Sequence, residues 1–353
     1  MIIEIGIDEK KQWNEIVRSF PRYDVFYLYE YVFAFMSENK SNGEPILLLY
    51  EKDSDRAINV VFKRDISLDE HLEGKVKEKQ YYDLITPYGY GGFMGDIQDY
   101  DLLNQEYTDY CREKGYVCEF VRFELFSDYY AHYDGVTESR THNVVRSLEA
   151  PLDEIWMDFK QKVRKNVKRA NTYNLEIIIE NTGEYLDDFL GIYYGTMDRS
   201  NAETEYYFSK GFFKNLNQMK ENIMYFHVVH EGNIISTELV IYGAENAYSY
   251  LGGTNREFFD MRPNDFLKYE IIKWAKEKGL RNFVLGGGYG SDDGIFQYKT
   301  CLAPHGIKDF YIGRKVLDVS AYDELCHLRG AESNSMRLDR VRVYSPVGGS
   351  PIK

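Results

Sequence analysis

Apolar residues recur at helical spacing twice near the start of the chain. Trp13, Ile16 and Val17 do so within residues 8–19, and Tyr31, Phe35 and Met36 within 27–39, which predicts a helix in each stretch. Met1 to Gly6 alternates like a short strand. Pro45–Tyr50 and Ala57–Phe62 read as two further strands joined by the polar turn Lys52-Asp53-Ser54-Asp55. The aromatic, glycine-rich run Tyr81 to Gly92 comes next. A helix over 100–114 is stopped by Gly115, and a strand over 116–126 follows.

The later part repeats this order. A strand is predicted over Leu175–Ile179, helices over 184–199 and 209–221, and strands over Ile223–His230, Ile234–Tyr242 and Ala247–Leu251. The connecting triplets Glu231-Gly232-Asn233 and Ala244-Glu245-Asn246 have tight-turn composition, so these three strands form an antiparallel meander. A helix over 264–278 closes at Gly279, and the apolar strand Asn282–Leu285 runs into three glycines. The order of elements thus recurs without a residue-by-residue repeat, which predicts a duplicated α/β (α+β) fold: one domain over 1–150, a second over 151–320 and a polar tail over 321–353. The joint, 152–173, reads as one helix with Ile155, Phe159, Val163, Val167 and Ala170 on a single stripe.

Composition narrows the class. An apolar share of 44% against 28% charged residues supplies enough apolar surface for folded domains and excludes disorder over most of the length. No apolar run approaches the length of a membrane span, and the start has neither a basic segment nor an apolar core of a signal peptide; a cytoplasmic, untargeted protein is expected. The net charge of −14 argues against non-specific binding to duplex DNA or anionic lipid. One segment departs from it. Residues 160–169 hold Lys160, Lys162, Arg164, Lys165, Lys168 and Arg169 without an acid, a local field fit to steer a polyanion or to face solvent. The four cysteines, 111, 118, 301 and 326, match neither a disulfide framework nor a zinc pattern and read as reduced thiols. His227 and His230, three apart in a strand, point to opposite faces, and no metal site is expected. The 32 tyrosines suit either half-exposed core positions or the wall of a cleft for polar organic substrates.

Six stretches, in this order, are similar to the GNAT acetyltransferase fold, and in their doubled arrangement to the FemABX peptidyltransferases and FemAB-like acetyltransferases. They are Thr86-Pro-Tyr-Gly-Tyr-Gly-Gly92, Arg164-Lys-Asn-Val-Lys-Arg-Ala170, Tyr194-Gly-Thr-Met-Asp-Arg199, Leu251-Gly-Gly-Thr254, Arg262-Pro-Asn-Asp-Phe266, and Leu285-Gly-Gly-Gly288 with Phe296-Gln-Tyr-Lys299. The resemblance covers about residues 1–315. It implies transfer of an acyl group from acyl-CoA or aminoacyl-tRNA to an amine of an amino-sugar or a cell-wall precursor. In FemABX proteins a Phe-Lys pair lies in the transferase site; here the pair is Tyr298-Lys299, with the aromatic changed and the lysine kept. The resemblance also implies that Arg199 holds an anionic acceptor. It places the donor's pyrophosphate at the helix entry formed by Arg262, Asn264 and Asp265, although the usual Arg/Gln-x-x-Gly-x-Gly/Ala signature is missing there.

The residues alone add the following. Direct acyl transfer needs an amine stripped of a proton and donors for an oxyanion, not a nucleophile motif, and no Gly-x-Ser-x-Gly or Ser/His/Asp set occurs. Glu238, in the middle of an apolar strand, is either a general base or amine-binding group, or a salt-bridged carboxylate. Alternation puts it on one face with Ser236 and Val240. Lys299 offers an ammonium for phosphate or an oxyanion. Asn264 or Asp265 can cap the helix they enter. Arg164, Tyr88 and Tyr90 are candidate acceptor contacts. Gly287 and Gly288, in a run that is neither Gly-x-Gly-x-x-Gly nor a P-loop, either let backbone approach a substrate, on the donor side, or another strand, or make a bent turn. The competing class is a ligand-binding protein on a degenerate copy of the fold. The enzyme reading requires two neighbouring strands of the C-terminal half to separate, opening a slot beside residues 251–265 and 283–288.

Overall fold

A computed structural model describes residues 1–39, 42–69, 71–288 and 293–329. Its elements in chain order are β1 (Ile2–Ile5), α1 (Lys10–Arg18), α2 (Tyr29–Glu38), β2 (Glu44–Lys52), β3 (Asp55–Asp65), β4 (Tyr82–Ile85), β5 (Met94–Asp96), α3 (Tyr100–Glu113), β6 (Tyr116–Arg122), α4 (Tyr129–His132) and β7 (Val136–Ser147). There follow α5 (Leu152–Asp158), α6 (Gln161–Ala170), β8 (Glu176–Glu180), α7 (Leu186–Ser200), α8 (Lys210–Leu216), β9 (Ile223–His230), β10 (Asn233–Tyr242), β11 (Asn246–Thr254), α9 (Pro263–Glu277), β12 (Asn282–Gly286), α10 (Gly294–Leu302), β13 (Ile307–Val316) and α11 (Val319–Leu328). The chain divides into two compact units. The first is Met1–Arg140 joined by residues 309–329, and the second is Thr141–Lys308.

Each unit is a mixed, mostly antiparallel sheet flanked by helices. In the first, the strand order is β1-β2-β3-β4-β6-β13, with β5 added beside β3. In the second it is β7-β12-β11-β10-β9-β8. Each sheet has one parallel pair in the same place: β4 with β6 in the first unit and β11 with β12 in the second. The repetition of element order therefore reflects a repetition of topology. The closing strands β7 and β13, like β4, α10 and α11, are elements that hydrophobic periodicity did not reveal. Val136–Ser147 is polar along most of its length, and only Asn143, Val144, Val145 and Arg146 are buried. The stretch called a polar tail begins inside α11, which buries Ala321, Leu325 and Cys326; the rest, from residue 330, lies outside the described residues.

The meander forms as expected. Glu231 and Gly232 both take positive φ, 49° and 79°, which is the backbone of a type I′ turn matched to strand twist. The side chains of β9 alternate across the sheet: Phe226 packs edge-on to Trp274 of α9, whereas Tyr225 packs against Phe189 of α7. Helix α9 begins with Pro263 at its first position, where the missing N–H costs nothing. It ends at Gly279, φ +83°, with Leu280 N–H donating to the Ala275 carbonyl at 3.0 Å.

The joint is not one helix. All five stripe residues are buried in the core shared with Leu267, Ile271 and Ile272 of α9, but the chain is extended at Phe159 and Lys160 (ψ 141° and 146°). The break is held from outside: the Lys160 N–H donates to the Cys301 carbonyl at 2.9 Å, tying this corner to the end of α10. Likewise the helix expected over 209–221 ends at Leu216 and tightens into a 3₁₀ stretch to Asn222.

Candidate functional site in the second unit

The second unit provides the slot. β11 and β12 are in parallel register at three positions only, Asn246/Asn282, Ala247/Phe283 and Tyr248/Val284. Beyond these, β11 continues to Thr254 along β10, while β12 stays on β7, with a register irregularity between Val284 and Gly286. The backbone edge of β11 past Tyr248 therefore has no strand beside it on that side among the described residues. An extended acyl or peptide-like arm fits such an edge by main-chain pairing.

Charge is gathered at the base of this opening. Glu238 is buried and accepts from Lys268 Nζ at 2.6 Å (Oε1) and 2.5 Å (Oε2); the same ammonium donates to Ser249 Oγ at 2.6 Å. Glu238 thus takes the salt-bridged alternative, and its two oxygens are not open to act as a base. Lys268 went unnoticed in the sequence. Its signal was there: a lysine among Phe266, Leu267, Ile271 and Ile272 is as misplaced as a glutamate in β10, and two opposite misplaced charges call for each other.

Lys299 stands on α10, whose N-terminus is capped by Asp293 accepting from the Phe296 N–H at 2.6 Å. Its Nζ donates to the Gly287 carbonyl at 2.5 Å. Burial, then repulsion from Lys268, lower its pKa to about 8, against the opposing pull of Glu238 and Asp293. The neighbouring Tyr298 hydroxyl is buried with no hydrogen-bond partner. Burial, followed by the charges of Asp265 and Glu238, pushes it well above the ordinary phenol range. Tyr298 Oη is therefore a neutral donor awaiting an acceptor.

At the far end of β11, a cavity of about 330 Å³ is lined by Thr196 and Arg199 of α7, Gly253, Thr254, Phe259, and Arg262 to Asp265 at the head of α9. It joins four residues the sequence had divided between two ligands: Arg199 on the acceptor side, and Arg262, Asn264 and Asp265 on the donor side. Arg199 lies over the Phe259 ring at 5.2 Å and donates to Thr196 Oγ1 at 3.2 Å. Gly253 lets α7 approach, because a Cβ there would lie 2.1 Å from Thr196 Oγ1. Neither Asn264 nor Asp265 caps α9. The cap position is Arg262 itself, in left-handed backbone at φ 59° with no side-chain cap. Asp265 is 6% exposed. Its Oδ2 accepts from Asn166 Nδ2 at 3.1 Å, and its Oδ1 has no hydrogen-bond partner. Burial raises its pKa to about 6, against the pull of the Asn166 hydrogen bond and of Arg262 and Lys162.

Other candidates fall elsewhere. Arg164 is spent on structure: its guanidinium donates to the carbonyl oxygens of Met157, at 2.7 Å, and Phe159, the last turn of α5. Arg164→Ala is expected to cost about 1–2 kcal/mol, measured as a lower urea midpoint at unchanged slope. Gly287 and Gly288 are glycines because protein presses on them. A Cβ on Gly287 would lie 2.9 Å from the His142 carbonyl oxygen, and one on Gly288 would lie 2.2 Å from the Asp293 carboxylate. The rest of the glycine run, 289–291, lies outside the described residues. Tyr88 and Tyr90 belong to the first unit. The Tyr88 carbonyl accepts from Tyr31 Oη at 2.6 Å, and Tyr90 is buried edge-on to Phe26 and Phe310. Among the described residues, no group of three His, Cys, Asp or Glu side chains could hold a metal ion, and no helix is long and apolar enough to cross a membrane.

Residues 157–300 match the model of the acetyltransferase (GNAT) domain. No curated protein sequence matches the chain. Among solved structures, FemX is similar with a TM-score of 0.64 at 13% identity, over 92% of this chain and 99% of FemX. L-PGS from Bacillus licheniformis is similar with a TM-score of 0.57 at 12% identity, over 95% of this chain and 96% of the other. A conserved protein of unknown function from Bacteroides thetaiotaomicron VPI-5482 gives 0.55 at 12%, over 89% and 98%.

Proposed function

Taking as premise that the chain has a tandem GNAT, FemAB-like fold with an acetyltransferase (GNAT) domain at residues 157–300, we propose that it is an N-acyltransferase. In this reading an acyl group passes by direct attack from acyl-CoA to an amine of a sugar- or cell-wall-precursor-type acceptor. Aminoacyl-tRNA is the second candidate donor, because the head of α9, Arg262-Pro-Asn-Asp265, lacks the glycines of the usual CoA loop. The observation that carries the proposal is the divergence of β11 from β12 after Tyr248 and Val284, with Lys299 and Tyr298 at its base.

The donor's carbonyl enters the opening. The acceptor nitrogen, freed of one proton, attacks it; the C–N bond forms and the oxyanion is met by the Lys299 ammonium or the Tyr298 hydroxyl, each a donor in a site largely screened from water. The bond to the leaving sulfur or oxygen then breaks, and that atom leaves with the second proton of the nitrogen. No covalent enzyme intermediate is required, in keeping with the absence of an activated nucleophile. The basic face of α6, with Lys162, Lys165 and Lys168 exposed and in no ion pair among the described residues, supplies a field for the donor's phosphates.

The test is a transfer assay with two labelled donor pools, acyl-CoA and charged tRNA, against nucleotide-sugar and cell-wall-precursor amines. Saturable CoA binding with label in an amide product is the expected result. Turnover with neither pool, and binding of neither donor, overturns the proposal in favour of a ligand-binding protein.

A further inference from the structure

The cavity at the head of α9 contains charges that do not suit the diphosphate the fold position would assign to it. Two guanidinium groups, Arg199 and Arg262, line it together with the carboxylate of Asp265. Asp265 Oδ1 has no hydrogen-bond partner, nor has the buried Nε of Arg262. A carboxylate this buried with a bare oxygen is costly unless a ligand satisfies it. A diphosphate would worsen the cost, bringing further negative charge against Asp265. The helix head also offers it less than usual, because Pro263 has no N–H to donate.

A ligand with a cation and an anion a few ångströms apart removes both deficits. We propose that this cavity is the acceptor subsite and recognises an amino-acid-like zwitterion, whose ammonium meets Asp265 Oδ1 and whose carboxylate meets Arg199 and Arg262. The assignment rests on the acyl-transfer reading and specifies its acceptor. The volume, about 330 Å³, suits a fragment of that size. Asn166 fixes the other oxygen of Asp265 from α6, which leaves Oδ1 the free one. The ammonium gives its proton to Asp265 as it becomes the attacking amine.

The groups acting on Asp265 come from several elements: Asn166 and Lys162 from α6, Arg262 from its own turn, and Tyr298 from α10, with Arg199 also lining the cavity. Among them Asp265 is the carboxylate that titrates near neutrality. Since its pKa is raised to about 6, it is ionised and able to hold a cation above that pH and neutral below it.

The probes are L-alanine, propionate, ethylamine and inorganic pyrophosphate, titrated into the full chain by calorimetry. L-alanine is expected to bind at least about tenfold more tightly than propionate or ethylamine and to weaken about tenfold between pH 7 and pH 5. Asp265→Asn should erase the advantage of L-alanine and its pH dependence while leaving propionate unchanged; Arg262→Met should weaken both. Pyrophosphate binding in place of L-alanine overturns the proposal, as does an Asp265→Asn or Arg262→Met protein that holds L-alanine like the wild type. These outcomes are separate from the donor assay. A chain that transfers acyl groups but ignores L-alanine keeps its function and loses this acceptor, whereas one that binds L-alanine but accepts no donor keeps the subsite and loses the transfer reading.

Discussion

Lys299→Ala should lower the turnover of acyl transfer by about 10²–10³-fold, the usual loss when one oxyanion donor is removed, with little change in stability. The small structural cost follows from what Lys299 does for the fold: among the described residues its ammonium donates to the Gly287 carbonyl, and it is already disfavoured by burial and by Lys268. The pH profile separates this role from its rival. An ammonium that stabilises negative charge is active while protonated, so with a pKa of about 8 the rate of the wild type should fall as pH rises through that value. A lysine acting as base would give a rate that rises there instead. Lys299→Ala should flatten that limb, a readout that a merely structural residue would not move. An unchanged rate and profile in Lys299→Ala would remove Lys299 from the transfer step and leave the unpartnered Tyr298 hydroxyl as the oxyanion donor.

The elements that set the topology were legible where one face is apolar and the other is not. The meander β9–β11 and helices α7 and α9 follow the hydrophobic period, and the turn at Glu231-Gly232 declares itself by composition. Strands β7 and β13 did not, because β7 is mostly polar, β13 mixes apolar and charged residues without alternation, and only four positions of each are buried. The break between α5 and α6 was invisible for a related reason. The stripe of buried residues is continuous, and the distinction lies in a bond to a distant partner, the Cys301 carbonyl, which local pattern does not encode. The site was half readable. Glu238 stood out by breaking an apolar strand and Lys299 by its resemblance to the FemABX Phe-Lys pair, but their pairings were not foreseen. Division of Arg199 and Arg262 between two ligands failed to foresee one cavity, since the close approach of α7 to β11 permitted at Gly253 is not written in local pattern.

The second large effect concerns that pairing. Glu238→Leu is expected to destabilise the protein by about 3–5 kcal/mol, the usual loss when one partner of a buried ion pair is removed. The side chains of Lys268 and Glu238 are 9% and 6% exposed. With Glu238 gone, the Lys268 ammonium retains Ser249 Oγ as a partner, and a second cation, Lys299, repels it. Lys268→Met should cost less, because Glu238 then still has the charge of Lys299 to face. The double variant Glu238→Leu/Lys268→Met should recover most of the loss, since an apolar pair of similar volume replaces both charges; urea unfolding of the four proteins closes the cycle. The same variants act on catalysis in opposite directions. Removing Glu238 takes away the charge that supports the Lys299 ammonium and moves the alkaline limb of the rate profile below about 8, whereas removing Lys268 takes away the repulsion and moves it above. If the limb stays fixed in both variants, Lys299 does not sense this pair, and the coupling between the buried ion pair and the transfer site falls with it.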